Sequence, residues 1–159
     1  MSTERMPEFQ KILLAVEFSD LSRPAEIAAF SLARKLGGSI DVLHVIEPLD
    51  ALAGDPAVEG FYQKLEKRAT EALNALVGRN EGQEVPINWE VVIGHRASVI
   101  VRRAEELESD LIVMGSRGLE DGVPITAISS TSHRVAFHAP CPIMLVGRHS
   151  LRRENAALG

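Results

Sequence analysis

The chain has 159 residues, 45% of them hydrophobic and 25% charged, which describes one soluble globular domain able to bury a core without disulfide or metal support. A formal net charge of -5 argues against nonspecific binding of nucleic acid, which needs a basic surface to neutralise phosphates. No apolar run approaches a membrane span, so no membrane partner is expected.

The order of elements follows from periodicity. Residues 1–10 (MSTERMPEFQ) are a polar lead-in without the apolar centre of a signal peptide and are expected to be flexible. Residues 12–16 (ILLAV) form a continuous apolar run, suited to a central parallel strand covered on both faces. Ser19, Asp20 and Ser22 are candidate caps for a first helix, with Pro24 tolerated in its first turn. Its apolar face is predicted on Ile27, Phe30, Ser31 and Arg34, widened by Ala28, Leu32 and Leu36, and Gly37-Gly38 stops it. A second strand spans residues 39–46, and the proline-containing stretch 48–57 reads as a loop.

From 58 to 76 the apolar positions Val58, Phe61, Tyr62, Leu65, Ala69, Ala72, Leu73 and Leu76 recur at helical spacing, and residues 78–82 (GRNEG) are expected to break the helix. Residues 85–93 alternate, with Val85, Ile87, Trp89, Val91 and Ile93 on one side, as in a half-exposed strand near a sheet edge. Ser98 is a candidate cap for a third helix carrying Val99, Ile100, Arg103, Ala104 and Leu107. The tail, residues 148–159, is basic, then small and polar, and is expected to be flexible.

The stretch 110–146 carries the functional signal. A short apolar run at 111–114 ends on Gly115 and Gly118, the hydroxyl cluster Ser129, Ser130, Thr131 and Ser132 opens a helix running through Phe137, and a last strand occupies 143–146 (IMLV). Glycine at a strand's carboxyl end lets main-chain N–H groups approach an anion closely, and small donors before a helix add to such a site. The bland alternative, that the glycines only turn the chain, weakens once the hydroxyl cluster is counted. The whole reads as βαβαβαβαβ: five strands, four helices, one α/β domain over residues 11–147 with helices on both faces of a parallel sheet.

The segments KILLAVEFSD, DVLHVIEP, VVIGHRASVIVRRAEELESDLIVMGSRG and HAPCPIMLV, in this order, resemble the universal stress protein family over nearly the whole chain. The resemblance implies an open, doubly wound, five-stranded parallel sheet of order 3-2-1-4-5, the adenine nucleotide alpha hydrolase-like fold. It also implies an adenine nucleotide, ATP with or without Mg2+, held where strands one and four end side by side. The residues it points to are Ala15, Val16, Glu17, Val45, Met114, Gly115, Arg117, Gly118, Ser129, Ser130 and Thr131.

Three departures bear on this. Ser129 stands where a third glycine belongs, ten residues rather than nine separate it from Gly118, and Glu17 stands where an aspartate belongs. A dimeric interaction module with no functional nucleotide site is therefore the alternative. A slow ATPase, or a protein autophosphorylated on Ser130 or Thr131, is the third reading. Homodimerisation through 143–146 is also implied by the resemblance, and an apolar edge strand is physically suited to pairing.

Other candidates point to simpler roles. No G-x-x-x-x-G-K-[ST] motif is present, so rapid phosphate turnover is not expected. Asp121 is a candidate magnesium ligand or a polar loop residue. His44 and His95 have no partner identifiable from sequence, and the spacing of His133 and His138 does not suit a metal site on one helix face. Cys141, the only cysteine, is read as a small buried hydrophobe, and a cytoplasmic location is expected.

Overall fold

The structure, a computed structural model, describes residues 7–19, 22–49, 55–116 and 131–147. Five strands, β1 (Lys11–Val16), β2 (Ser39–Ile46), β3 (Ile87–Ile93), β4 (Leu111–Ser116) and β5 (Ile143–Gly147), alternate with four helices, α1 (Ser22–Leu36), α2 (Pro56–Asn80), α3 (Arg96–Glu106) and α4 (Thr131–His138). All pairings are parallel and the order is β3-β2-β1-β4-β5, as the resemblance implied. The central strand is apolar on both faces because both faces are covered. Ile12, Leu14 and Val16 join α1 and α2 in one core, whereas Leu13 and Ala15 join α3 and α4 in the other.

Gln10, within the expected lead-in, is held on both sides: its N–H donates to the Asp110 carboxylate at 3.0 Å and its carbonyl accepts from Ser39 at 2.7 Å. The turn after α1 works by two different glycine properties. Gly37 has φ +66°, the left-handed conformation that a Cβ disfavours, and a Cβ on Gly38 would lie 2.6 Å from the Gln10 carbonyl oxygen.

Two helices differ from the periodicity reading. The buried stripe of α1 is Ala25, Ala29, Phe30 and Ala33, with Ile27 and Leu36 each 38% exposed and Arg34 on the surface. Small side chains let the helix approach the sheet closely, and an alanine stripe carries little contrast in a hydropathy pattern. Helix α2 continues past Gly78 to Asn80 and then tightens into a 3-10 turn, Glu81–Gln83. Its apolar positions are unequal: Ala69, Leu73 and Leu76 are core, whereas Phe61 is exposed.

What carries α2 through its glycine is a buried carboxylate. Glu26 on α1 is only 2% exposed. It accepts from Arg79 Nε at 2.7 Å and Nη2 at 2.5 Å, from Arg23 at 2.5 Å, and from Asn80 Nδ2 at 2.8 Å. Asn80 also donates to the Leu76 carbonyl and accepts from Gln83, so the last turn of α2 is fixed to α1 from inside. Removing the carboxylate leaves these donors without their acceptor. Glu26→Ala is expected to cost about 2 kcal/mol, with the two arginines partly rescued by solvent. Denaturant unfolding measures this; a change below a few tenths of a kcal/mol would show that the cluster is not structural.

Candidate functional site

Hydrogen-bonding registers locate a gap in the sheet. Strand β1 pairs with β2 as far as Val16 with His44, and β4 pairs with β5 as far as Ser116 with Gly147. Between β1 and β4 the pairing stops earlier, at Ala15 with Met114. Val16 and Glu17 on one side and Gly115 on the other therefore flank an opening at the carboxyl ends of adjacent strands. This is the topological switch point, where open α/β sheets bind ligands.

Ala15, Val45 and Met114 lie on the α3/α4 side of the sheet, in one core cluster with Val99, Ile100 and Val135. Val45 is 4% and Met114 6% exposed, both buried in that core; Ala15 and Gly115 are half-buried at the strand ends. Thr131 opens α4, also half-buried. The sequence-predicted residues Arg117, Gly118, Ser129 and Ser130, and Asp121 with them, lie outside the described residues.

Glu17 is not a free carboxylate. Its Oε1 accepts from Arg96, the first residue of α3, at 2.9 Å, and its main-chain N–H donates to the Ser22 hydroxyl at 3.2 Å. With side chains 25% and 38% exposed, the Arg96–Glu17 pair closes one side of the mouth without being sealed from water. Such a pair holds by only about 1 kcal/mol or less, so an incoming anion or hydroxyl can exchange with it. The cap expected at Ser98 is not used: α3 is capped by the His95 main chain, with no side-chain hydrogen bond.

Next to this pair stands His44, whose partners were not legible in the sequence. Its Nδ1 lies 2.8 Å from the Val16 carbonyl oxygen. A carbonyl only accepts, so Nδ1 carries the proton and Nε2 is the free acceptor of the neutral ring. Its ring packs on Phe18, centroids 4.6 Å apart, and Phe18 has φ +56°, a left-handed turn by which the chain leaves β1. Burial holds the imidazole below its ordinary pKa; the bond to Val16 opposes this, nearby Arg96 adds to it and Glu17 offsets it. Cys141 packs against the α3/α4 core, and burial, reinforced by Asp110, raises its thiol to about 11, which keeps it protonated and unreactive near neutrality.

The geometry defines a doubly wound α/β protein of the adenine nucleotide alpha hydrolase-like fold, with a crevice between the ends of β1 and β4. The universal stress protein family model matches residues 8–147, and the chain belongs to that family. It is 35% identical over 143 residues to a universal stress protein of Thermus aquaticus, covering 87% of this chain and 98% of the relative. Among solved structures it resembles the universal stress protein UspA of Lactobacillus plantarum, with TM-score 0.74, 24% identity, and 87% and 97% of the two chains covered. It also resembles a universal stress protein in complex with cAMP (TM-score 0.68, 19% identity, 87% and 97% covered). A family protein from Arabidopsis thaliana with AMP bound is similar as well (TM-score 0.66, 19% identity, 89% and 93% covered).

The titration of His44 tests the mouth directly. Because its pKa is lowered on folding, the unfolded chain takes up the proton more readily, so stability is lost as pH falls from about 6.5 towards the folded value and no further below it. Denaturant midpoints at pH 7.5 and 5.5 are expected to fall further in the parent than in His44→Gln. Equal losses would show that the ring is not held neutral by its surroundings.

Proposed function

We propose that this protein is a stress-response binding module that holds an adenine nucleotide in the crevice between β1 and β4 without turning it over rapidly. The observation that carries the reading is the early end of β1–β4 pairing at Ala15 and Met114, which sets Gly115 opposite Val16 and Glu17. The AMP and cAMP carried by two proteins of the same fold support an adenine nucleotide as ligand. In this reading Ala15, Val45 and Met114 form the apolar seat of the base, and Gly115, Arg117, Gly118, Ser129, Ser130 and Thr131 face the phosphates. ATP with Mg2+ is the form proposed. Slow turnover rests on the sequence, which has no P-loop lysine to stabilise the transferred charge. A cytoplasmic location is proposed with it, consistent with a single cysteine that no intrachain disulfide uses.

A second reading, a dimeric interaction module without a nucleotide, is favoured by one observation: the Glu17 carboxylate is already satisfied by Arg96. Calorimetric titration with AMP, cAMP, and ATP with and without magnesium separates the two. At a hundredfold excess over Kd a bound nucleotide stabilises by about 2.7 kcal/mol, or roughly 5–10 °C in Tm for a chain of this size. Gly115→Val, which adds a strand-compatible side chain at the opening, is expected to abolish the heat of binding while the circular dichroism stays native. Absence of heat with every nucleotide in the parent protein would select the second reading.

Both readings include a homodimer through β5. The strand lies at the sheet edge with Met144 37% and Leu145 48% exposed, an arrangement that favours pairing with a second copy. Light scattering on a sizing column is expected to give a dimer mass for the parent and a monomer mass for Met144→Lys. A monomeric parent would remove β5 as an interface.

A further inference from the structure

The sheet has two open edges, β5 and β3, and the dimer proposed through β5 covers only one of them. Among the described residues β3 pairs with β2 alone, in an unbroken register from Ile87 with Ile40 to Ile93 with Ile46. In a parallel ladder every second residue of a strand bonds to a given neighbour. Ile40 donates to the Pro86 carbonyl and Gly94 to the Ile46 carbonyl, each at 2.9 Å, so the even-numbered residues of β3 are the ones bonded to β2. The main-chain N–H and C=O groups of Ile87, Trp89, Val91 and Ile93 therefore point out of the sheet.

Proteins that avoid edge pairing protect such a strand with lysine, proline, a bulge or brevity. Strand β3 uses none of these: it is 7 residues long, contains neither lysine nor proline, and follows β2 without a bulge. Its one charged side chain, Glu90, is held by Arg103 at 2.6 Å. Ile87 and Val91 pack against the α1/α2 core, which puts the odd-numbered side chains on that face. Two of them, Trp89 and Ile93, stand 37% and 42% exposed.

We propose that β3 is a second self-association edge, on which another copy of this chain pairs antiparallel about a two-fold axis through Val91. That axis sets Trp89 opposite the partner's Ile93, twice by symmetry, and Val91 opposite the partner's Val91. All are residues whose main-chain groups point outward, so each facing pair exchanges two hydrogen bonds. Each exposed indole covers an exposed aliphatic side chain, a favourable cross-strand pair, and on the other face Glu90 meets the partner's Val92. Moving the axis to Glu90 would set two carboxylates opposite each other, and moving it to Trp89 would carry Ile93 past the end of the partner's strand. An unrelated extended peptide would gain the main-chain bonds without this matched order of side chains. Since β3 and β5 lie at opposite edges, the two contacts are compatible and together join dimers into a chain.

The test uses the full chain carrying Met144→Lys, so that β5 does not contribute. A lone strand pair is a weak contact, so sedimentation equilibrium is followed from the dilute conditions of a sizing column up to about 1 mM, where dimers are expected to appear. Ile93→Glu and Trp89→Lys, both at exposed positions, are each expected to weaken association by about tenfold or more. Combined, they are expected to associate more tightly than either alone, because the new charges of opposite sign then face each other across the axis. Within one strand the two positions are about 13 Å apart, too far to pair. Phe61→Glu, on α2 and 44% exposed, is expected to leave association unchanged. A monomer at every concentration overturns the proposal, as does equal weakening by Phe61→Glu, which would mark unspecific stickiness. A combined variant weaker than both single ones overturns the pairing about Val91.

Discussion

The arrangement depends on where β1 sits. Placed between β2 and β4 in a parallel sheet, it sends its own connection to α1 on one face, whereas β4 continues to α4 on the other. Two chains that leave a common edge for opposite faces cannot stay paired to their last residue, and the ladder between them ends at Ala15 and Met114. The opening is therefore a consequence of connectivity. At these strand ends Ala15 and Gly115 are small and half-buried, and Val45 and Met114 are buried in the core behind them.

Charge is used in two ways around this frame. Glu26 is buried and receives four hydrogen bonds, so it acts as a fastener between α1 and the end of α2. Glu17 is half-exposed and holds one arginine, so its partnership is exchangeable. Burial makes the Glu26 cluster costly to disturb, and water screens the half-exposed Glu17 enough that a ligand can compete. His44 links mouth and core, with one nitrogen on the β1 main chain and its charge state set by burial and by the Arg96–Glu17 pair.

Much of the fold was legible because its signals are local. The apolar runs of β1 and β4, the stop at Gly37 and the alternation of β3 are each read within a few residues, whereas β4 runs on through Gly115 to Ser116. The α1 face was misjudged because alanines carry weak periodic contrast, and the end of α2 because Asn80, Arg79 and Glu26 override its glycine. At the candidate site, the placement of Ala15, Val45, Met114 and Gly115 towards the carboxyl ends of neighbouring strands was legible through strand pattern and family resemblance. Arg96 was not, since it meets a carboxylate 79 positions away, nor was the environment of His44, whose acceptor lies 28 positions away.

By itself, then, the amino-acid order determined the succession of strands and helices and the family. Hydrophobic periodicity and turn chemistry act over a few residues, so they are written in the chain directly. Only the tertiary structure decided that Glu17 is held by Arg96 and that the His44 ring is bonded to the Val16 carbonyl and packed on Phe18. Those outcomes depend on which distant side chains packing brings within a few ångströms, and no local pattern encodes that distance.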